Sequence, residues 1–447
     1  MTNNDSKMKD LIIDSSTIDS STATGNIINK PEIRIGVLGN VDSGKSSTIG
    51  VITKNILDDG KGYARSLVVR HPHEKESGRT SDISQLYIQT DDLIIDFVDL
   101  AGHEKYLKTT MYGVNGYLID YALIVINANT GIQRMTREHI GLVLSLKIPI
   151  IIIYTKMDLA PKNIIEQNLT QINTFFSKRT KKDVVIMNND NGIASDKGND
   201  NVNVNDKVDS ILKNYISNDF KKIPLFPISN VNGNGIDIMK SFLNNLPVLI
   251  NYSDRFNASP NFIIDRKYIV AGIGLVISGV LKYGTIHKGD VLFIGPFTNN
   301  QYYRITIRNI HNNFRKSIDT LYAGQGGCFN IKSVTAKVNI KRNMIKKGAR
   351  IVAECQTYKQ FIARVKILHH PTTITSRYQP TIHCGPVSQC AKIIKMDKEY
   401  LRSHDEALIT FEFLFRPEII ELGSHFVFRE GMTKGIGVID EIIPFVK

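Results

Sequence analysis

The sequence predicts an α/β domain, with a mostly parallel sheet and helices on both faces, followed by two all-β units. Three observations carry this expectation. Between residues 31 and 250, short apolar runs alternate with helical patterns, as strands joined by covering helices require. Past Pro247 the texture turns to apolar/polar alternation broken by Gly274, Gly279, Gly284 and Gly289, which is strand-and-turn patterning. The first apolar run also ends in a glycine-bracketed loop carrying a lysine and a serine. At 447 residues the chain has room for about three domains of roughly 150 residues each.

In chain order, residues 1–30 are rich in Ser, Thr, Asn and Asp and lack the apolar stretch of roughly 7–15 residues that marks a secretory leader. They read as a disordered tail. The first domain spans 31–252, with strands expected at IRIGVLG, LYIQ, LIIDFV, YALIVIN, IPIIIIY and IPLFPIS. Residues 188–207, NNDNGIASDKGNDNVNVNDK, are too polar to pack and read as a flexible surface insertion before the last strand. The second domain, 253–356, opens with long alternating segments such as YIVAGIGLVISGVLKYG. The third, 357–447, is β-rich from near Gln360. Periodicity alone leaves barrel and sandwich open for both.

Hydrophobic residues make up 42% of the chain, enough for sizeable cores. The formal net charge is +13, from 56 Lys and Arg against 43 Asp and Glu, which favours a polyanionic partner, nucleic acid first. A basic protein with no such partner is the plainer account. Cys328, Cys355, Cys384 and Cys390 show no CxxC spacing, so buried free thiols are expected rather than disulfides or a metal site. No apolar run approaches the ~18 residues of a membrane span, and a soluble, cytoplasmic protein is expected.

The chemistry begins where the first strand ends. Gly39-Asn40-Val41-Asp42-Ser43-Gly44-Lys45-Ser46 matches the pattern GxxxxGK[ST], with Ser47 following on the helix. Glycines let backbone N–H groups turn inward around phosphate oxygens, and the helix adds its positive end. Lys45 is placed for the β and γ phosphates and Ser46 for Mg²⁺. The run LIIDFV then delivers Asp99, followed by Leu100, Ala101, Gly102 and His103. Asp99 can hold the Mg²⁺ water shell. Gly102 can offer its N–H to a γ-phosphate and move when that phosphate leaves. His103 then stands where an attacking water is oriented; a surface histidine is the competing account. Thr155-Lys156-Met157-Asp158 ends another buried run, where a carboxylate can accept from guanine N1–H and its exocyclic amine, a donor pair that adenine lacks. Ser229-Asn230-Val231 could present a backbone N–H to guanine O6, and is the least specific of these elements.

The order of P-loop, DxxG and [N/T]KxD resembles a translation-factor-type GTPase, the class of elongation factor Tu and elongation factor 1-alpha. More narrowly, GNVDSGKSS, RHPHEKESGRTS, DLAGHEKYLKTTMYG, TKMDLAP, LHHPTTITSRYQPTIHCG and FVFREGMTKGIG resemble the GTP-binding protein 1 and 2 family, over residues 31–447. The resemblance implies a P-loop GTPase domain followed by two β barrels that rotate against it, GTP and GDP with Mg²⁺, and tRNA or other RNA and the ribosome as partners of a monomer. It also implies that Thr80 completes the Mg²⁺ shell in the GTP state, making Thr80, Lys45 and His103 the catalytic set and Ser46, Thr80 and Asp99 the metal set. Two positions depart from the elongation-factor pattern. Thr155 stands where Asn is usual, although the narrower family shares it. Arg79 replaces the isoleucine that, with the Val41 position, gates the histidine. An RNA- or protein-binding adaptor that uses GTP only as a latch is the alternative reading.

Some conspicuous residues promise less. His71 and His73 lack further metal ligands, and His369 and His370 read as structural. The basic segment Lys337, Lys341, Arg342, Lys346, Lys347 and Arg350 suits either an RNA backbone or a solvated, lysine-guarded barrel edge.

Overall fold

The apolar runs of the amino-terminal unit become the strands of one sheet: β1 (Glu32–Gly39), β2 (Ser84–Gln89), β3 (Ile94–Asp99), β4 (Tyr121–Asn127), β5 (Ile150–Thr155), β6 (Asp183–Ile186) and β7 (Lys222–Pro227). The computed structural model describes residues 30–69, 83–187, 204–297, 300–334, 338–346, 348–430 and 433–444. Thr80, Arg79, His71 and His73 lie outside these. Strand order is β2-β3-β1-β4-β5-β7-β6. β2 pairs antiparallel with β3, and the other neighbours are parallel. β1, β3 and β5 are buried along their whole length, which their Ile- and Val-rich composition anticipates for strands covered on both faces.

The covering helices are α1 (Lys45–Lys54), α2 (Tyr63–Ser66), α3 (Leu107–Gly116), α4 (Arg134–Ser145), α5 (Lys162–Thr180), α6 (Val204–Ser217) and α7 (Ile236–Asn244). Successive side chains of a strand point to opposite faces. Ile33, Ile35 and Val37 of β1 therefore pack with Ile49 of α1, Leu212 and Tyr215 of α6 and Phe242 of α7. Leu38 joins Met111 of α3, Ile140 and Val143 of α4 and Phe176 of α5 on the other face. Two details correct the sequence reading. β6 is a four-residue edge strand, too short to stand out by pattern. Residues 204–207 open α6 rather than extend the polar insertion, whose residues 188–203 lie outside the described set.

Both carboxy-terminal units are barrels, not sandwiches. In the first, Val291–Gly295 pairs with Arg350–Val352 on one side and Tyr303–Asn312 on the other. The ring continues through Asn261–Val270, Gly274–Tyr283 and Gly326–Ser333 and closes on itself. In the second, six strands from Tyr358–His369 to Thr433–Pro444 form a closed barrel around Phe361, Phe411, Phe413 and Phe426.

Polar ties fasten the units together. Glu32 accepts from Arg34 Nη2 (2.8 Å), and from Asn313 Nδ2 and the Gly326 N–H of the first barrel (both 3.0 Å). Arg34, wholly buried, donates from Nη2 to Gly324 O at 2.6 Å. On the other side, Glu138 of α4 pairs with Arg429 at 3.1 Å and with Lys434, both from the second barrel. Arg350, expected with the basic segment to meet either an RNA backbone or solvent at a barrel edge, is instead buried and paired with Glu421 (3.2 Å), so it braces the two barrels. The thiols correct another expectation: all four cysteines are free, but only Cys384 is buried, and Cys355 is exposed. His370 is structural as expected, with its N–H on Ser403 Oγ (2.9 Å) and its ring on Thr433 Oγ1 (2.6 Å). Among the described residues no helix is long and apolar enough to cross a membrane.

Candidate nucleotide site

The carboxyl ends of β1, β3, β4 and β5 share one edge of the sheet, where doubly wound folds place their ligands. Register does the positioning: Asp99 lies beside Val37 and Thr155 beside Asn127. β1 leads into the loop from Gly39 to Gly44. Asp42 and Gly44 both adopt positive φ (58° and 91°), a geometry that curls successive N–H groups into a concave anion nest. A side chain at Gly39 would strike Val125 O at 2.3 Å, so this glycine is imposed by the neighbouring strand. α1 begins at Lys45 with no acidic residue in its first turn, leaving its positive end uncompensated.

A cavity of about 310 Å³ opens over this edge, at the small end of ligand pockets, which run from roughly 300 to 1,000 Å³. Val41, Asp42, Gly44, Lys45, Ser46 and Ser47 line it from the loop and α1, Gly102 and His103 from the turn after β3, and Lys156, Asp158, Asn230 and Val231 from the far end. The other expected binding residues stand behind this lining. Gly39, Asn40 and Ser43 shape the loop, Leu100 and Ala101 are fully buried in the core, and Met157 and Ser229 hold the base-end turns. The Ser229 hydroxyl accepts from the Val231 and Asn232 N–H groups, both at 3.2 Å.

The phosphate end is strongly charged. Lys45 Nζ donates to Asn40 O (2.7 Å) and Gly39 O (3.3 Å). Burial lowers its pKa to about 8; Asp99 and Asp42 oppose the shift, and Arg65 reinforces it. Ser46 Oγ donates to Asp99 Oδ2 at 2.7 Å, which brings the two expected metal ligands together. A side chain at Gly102 would lie 2.5 Å from Lys45 Nζ and 2.7 Å from Gly39 O, so the turn can approach the loop only as glycine. His103 caps the short helix Glu104–Tyr106, its Nδ1 accepting the Lys105 N–H at 3.1 Å. That contact leaves the proton of a neutral ring on Nε2. His103 can therefore donate to a water or a phosphate oxygen, but cannot take a proton from it.

At the base end Asp158 is exposed on the rim, next to Leu159. Thr155 does something the sequence did not suggest. It is fully buried, and its hydroxyl donates to Ser43 O at 2.7 Å, clamping the phosphate loop onto β5 rather than reaching a base.

Sequence reasoning missed two groups. His139 of α4 is fully buried, and its Nδ1 accepts the Gly39 N–H at 3.2 Å. Burial, aided by Lys45, pushes its pKa to about 3, so it is neutral and anchors the loop from below. A lone histidine inside a helix offers no pattern to find. The second group is the segment carrying Asp58, Gly60, Lys61, Gly62 and Arg65, which also lines the cavity. Its turn chemistry, LDDGKG, was the available signal.

Comparison with known proteins agrees with this geometry. The family described as the elongation factor Tu GTP binding domain matches residues 30–254. GTP-binding protein 1 of Xenopus laevis is 36% identical over 92% of this chain and 64% of its own length. GTP-binding protein 2 of Mus musculus is 33% identical over 92% of this chain and 69% of its own. The chain thus spans about two thirds of the length of these curated relatives. Among solved structures, the bacterial selenocysteine-specific elongation factor EF-Sec superposes with a TM-score of 0.67 at 20% identity, over 92% of this chain and 58% of that one. That likeness speaks for the fold.

Proposed function

Because the chain belongs to the elongation factor Tu class of GTPases, within the group of GTP-binding proteins 1 and 2, we propose that it hydrolyses GTP to GDP and phosphate and switches conformation as it does so. The observation that carries this reading is the convergence of Lys45, Ser46, Gly102, His103 and Asp158 on a single cavity, with Asp99 hydrogen-bonded to Ser46 behind its lining. Lys45 and the loop N–H groups balance phosphate charge, and Asp158 accepts from guanine. His103, with its ring proton on Nε2, donates to the incoming water and holds it in line.

Ser46 and Asp99 would hold Mg²⁺. Their one hydroxyl and one carboxylate fit an ion that keeps waters and substrate phosphates as its remaining ligands. When bound, that ion neutralises charge across the β and γ oxygens. The described residues contain no cluster of three or more His, Cys, Asp or Glu that could form an all-protein cage. Thr80, outside the described residues, is the proposed third ligand. We place domain boundaries near 252 and 356 and propose RNA, with the ribosome, as the partner whose docking fixes His103. The excess of basic residues supports this.

Single-turnover hydrolysis, with and without purified ribosomes, tests the reading. Wild type should respond to ribosomes, and His103→Ala should lose most of that response while keeping nucleotide affinity. Equal rates for the two proteins under all conditions would favour the adaptor reading and refute this one.

A further inference from the structure

Residues 55–69, which follow α1, fold back on it as a shelf that lines the cavity. α2 lies directly on α1 at Gly50, where a side chain would come within 2.2 Å of Ala64 O, and Ala64 is fully buried in that contact. Asp58 ties the shelf at both ends: its N–H donates to Asn230 O (2.8 Å), and its Oδ1 accepts the Ala64 N–H (2.9 Å). Asp59 Oδ1 accepts the N–H groups of Lys61 (2.8 Å) and Tyr63 (3.0 Å), folding the turn tightly. The backbone that carries Arg65 is therefore anchored to the core of the domain.

Arg65 and Lys45 line the same cavity, near enough for the Arg65 charge to disfavour the charged lysine. Two cations that repel each other across a cavity are unfavourable alone, and a polyphosphate between them reverses the sign of the interaction. The neighbouring carboxylates Asp42 and Asp99 act on Lys45 as well, but both belong to the loop-and-strand wall. The shelf thus brings a positive charge from outside the P-loop machinery. Arginine stays charged at any working pH, and its planar fork matches two phosphate oxygens at once.

We propose that Arg65 contacts the phosphates of bound GTP and stabilises the charge that develops during hydrolysis, an arginine supplied by the chain itself. This rests on the GTP-hydrolysing reading above. As the water oxygen bonds to the γ phosphorus, the bond to the bridging oxygen breaks and its electron pair passes to GDP. The proton of the water ends on the released phosphate. Arg65 meets the charge accumulating on the phosphate oxygens.

The test compares single-turnover GTP hydrolysis at saturating nucleotide for the full chain and for Arg65→Ala, Arg65→Lys and Arg65→Gln, alongside GTP and GDP dissociation constants and melting temperatures. Arg65→Ala should slow hydrolysis by about 10- to 100-fold, the scale that separates GTPases with and without an in-chain arginine. Arg65→Lys should recover part of the rate, and GDP affinity should fall only a few-fold. A rate for Arg65→Ala within two-fold of wild type would overturn the proposal, as would a loss of affinity with the saturated rate intact. If Arg65→Ala does not fold, Arg65→Gln is read against Arg65→Lys, and equal rates for those two would overturn it. A wild-type chain that takes up no GTP would instead sink the reading beneath it.

Discussion

The charge on Lys45 should make nucleotide affinity fall as pH rises from 7 to 9. In the folded protein its pKa is about 8, against an ordinary 10.5, because the ammonium is buried. A bound triphosphate restores the charged form, so binding must protonate any lysine that has lost its proton. With a free-site pKa near 8, the protonated fraction drops about tenfold between pH 7 and pH 9, a loss of about 1.4 kcal/mol in binding. The same group sets a sign for stability. Its folded pKa lies below the unfolded one, so the unfolded chain binds more protons above pH 8, and this lysine's penalty on the nucleotide-free fold, about 3 kcal/mol at neutral pH, is relieved as pH rises. The assay is titration of fluorescent GDP and GTP at fixed Mg²⁺ and ionic strength, with Lys45→Met as a pH-insensitive control. Wild-type affinity that is flat or rising across the window would refute the account of Lys45.

Gly102→Ala should cost about 1–3 kcal/mol in melting experiments through overpacking, and should weaken GTP binding more than GDP binding, because its Cβ would enter the Lys45–Gly39 contact. Thr155→Val keeps the shape but strips the hydroxyl from Ser43 O. Leaving that buried carbonyl unpaired should destabilise the fold by about 1–3 kcal/mol and speed nucleotide release in stopped-flow chase measurements. Asp158→Asn should move base preference from guanine toward xanthine nucleotides, read as a ratio of dissociation constants, since the amide would donate to the xanthine carbonyl.

What the sequence showed and what it hid divide along contact distance. The P-loop and the DLAGH turn were legible because each is a local strand–turn–helix whose residues act within a few positions of one another. Asp158 was legible for the same reason. The clamp that Thr155 makes was hidden because its partner, the Ser43 carbonyl, lies over a hundred positions away in sequence. His139 and Arg65 reach the site through tertiary packing alone, α4 beneath the loop and α2 across α1, and no periodicity announces either. The barrels were visible as alternating strands, whereas their closure was not: it depends on Val291–Gly295 in the first and Tyr358–His369 in the second each pairing with two separate strands.

β1 has eight residues and, extended, reaches about 25 Å. One tip runs into the Gly39–Gly44 loop, where the phosphates are proposed to sit. The other grips the first barrel through Glu32 and the buried Arg34 guanidinium. A rod clasped at both extremities cannot yield by degrees. The Glu32–Arg34 pair travels with β1, so a part-way opening that admits no water leaves the three hydrogen bonds across the joint unmade, at about 1–3 kcal/mol each, and a dry intermediate separation is worse than either full engagement or full release. Under the hydrolysis proposed above, the joint between sheet and barrel would act as a toggle with two resting places, thrown by the departure of a phosphoryl group at the far tip.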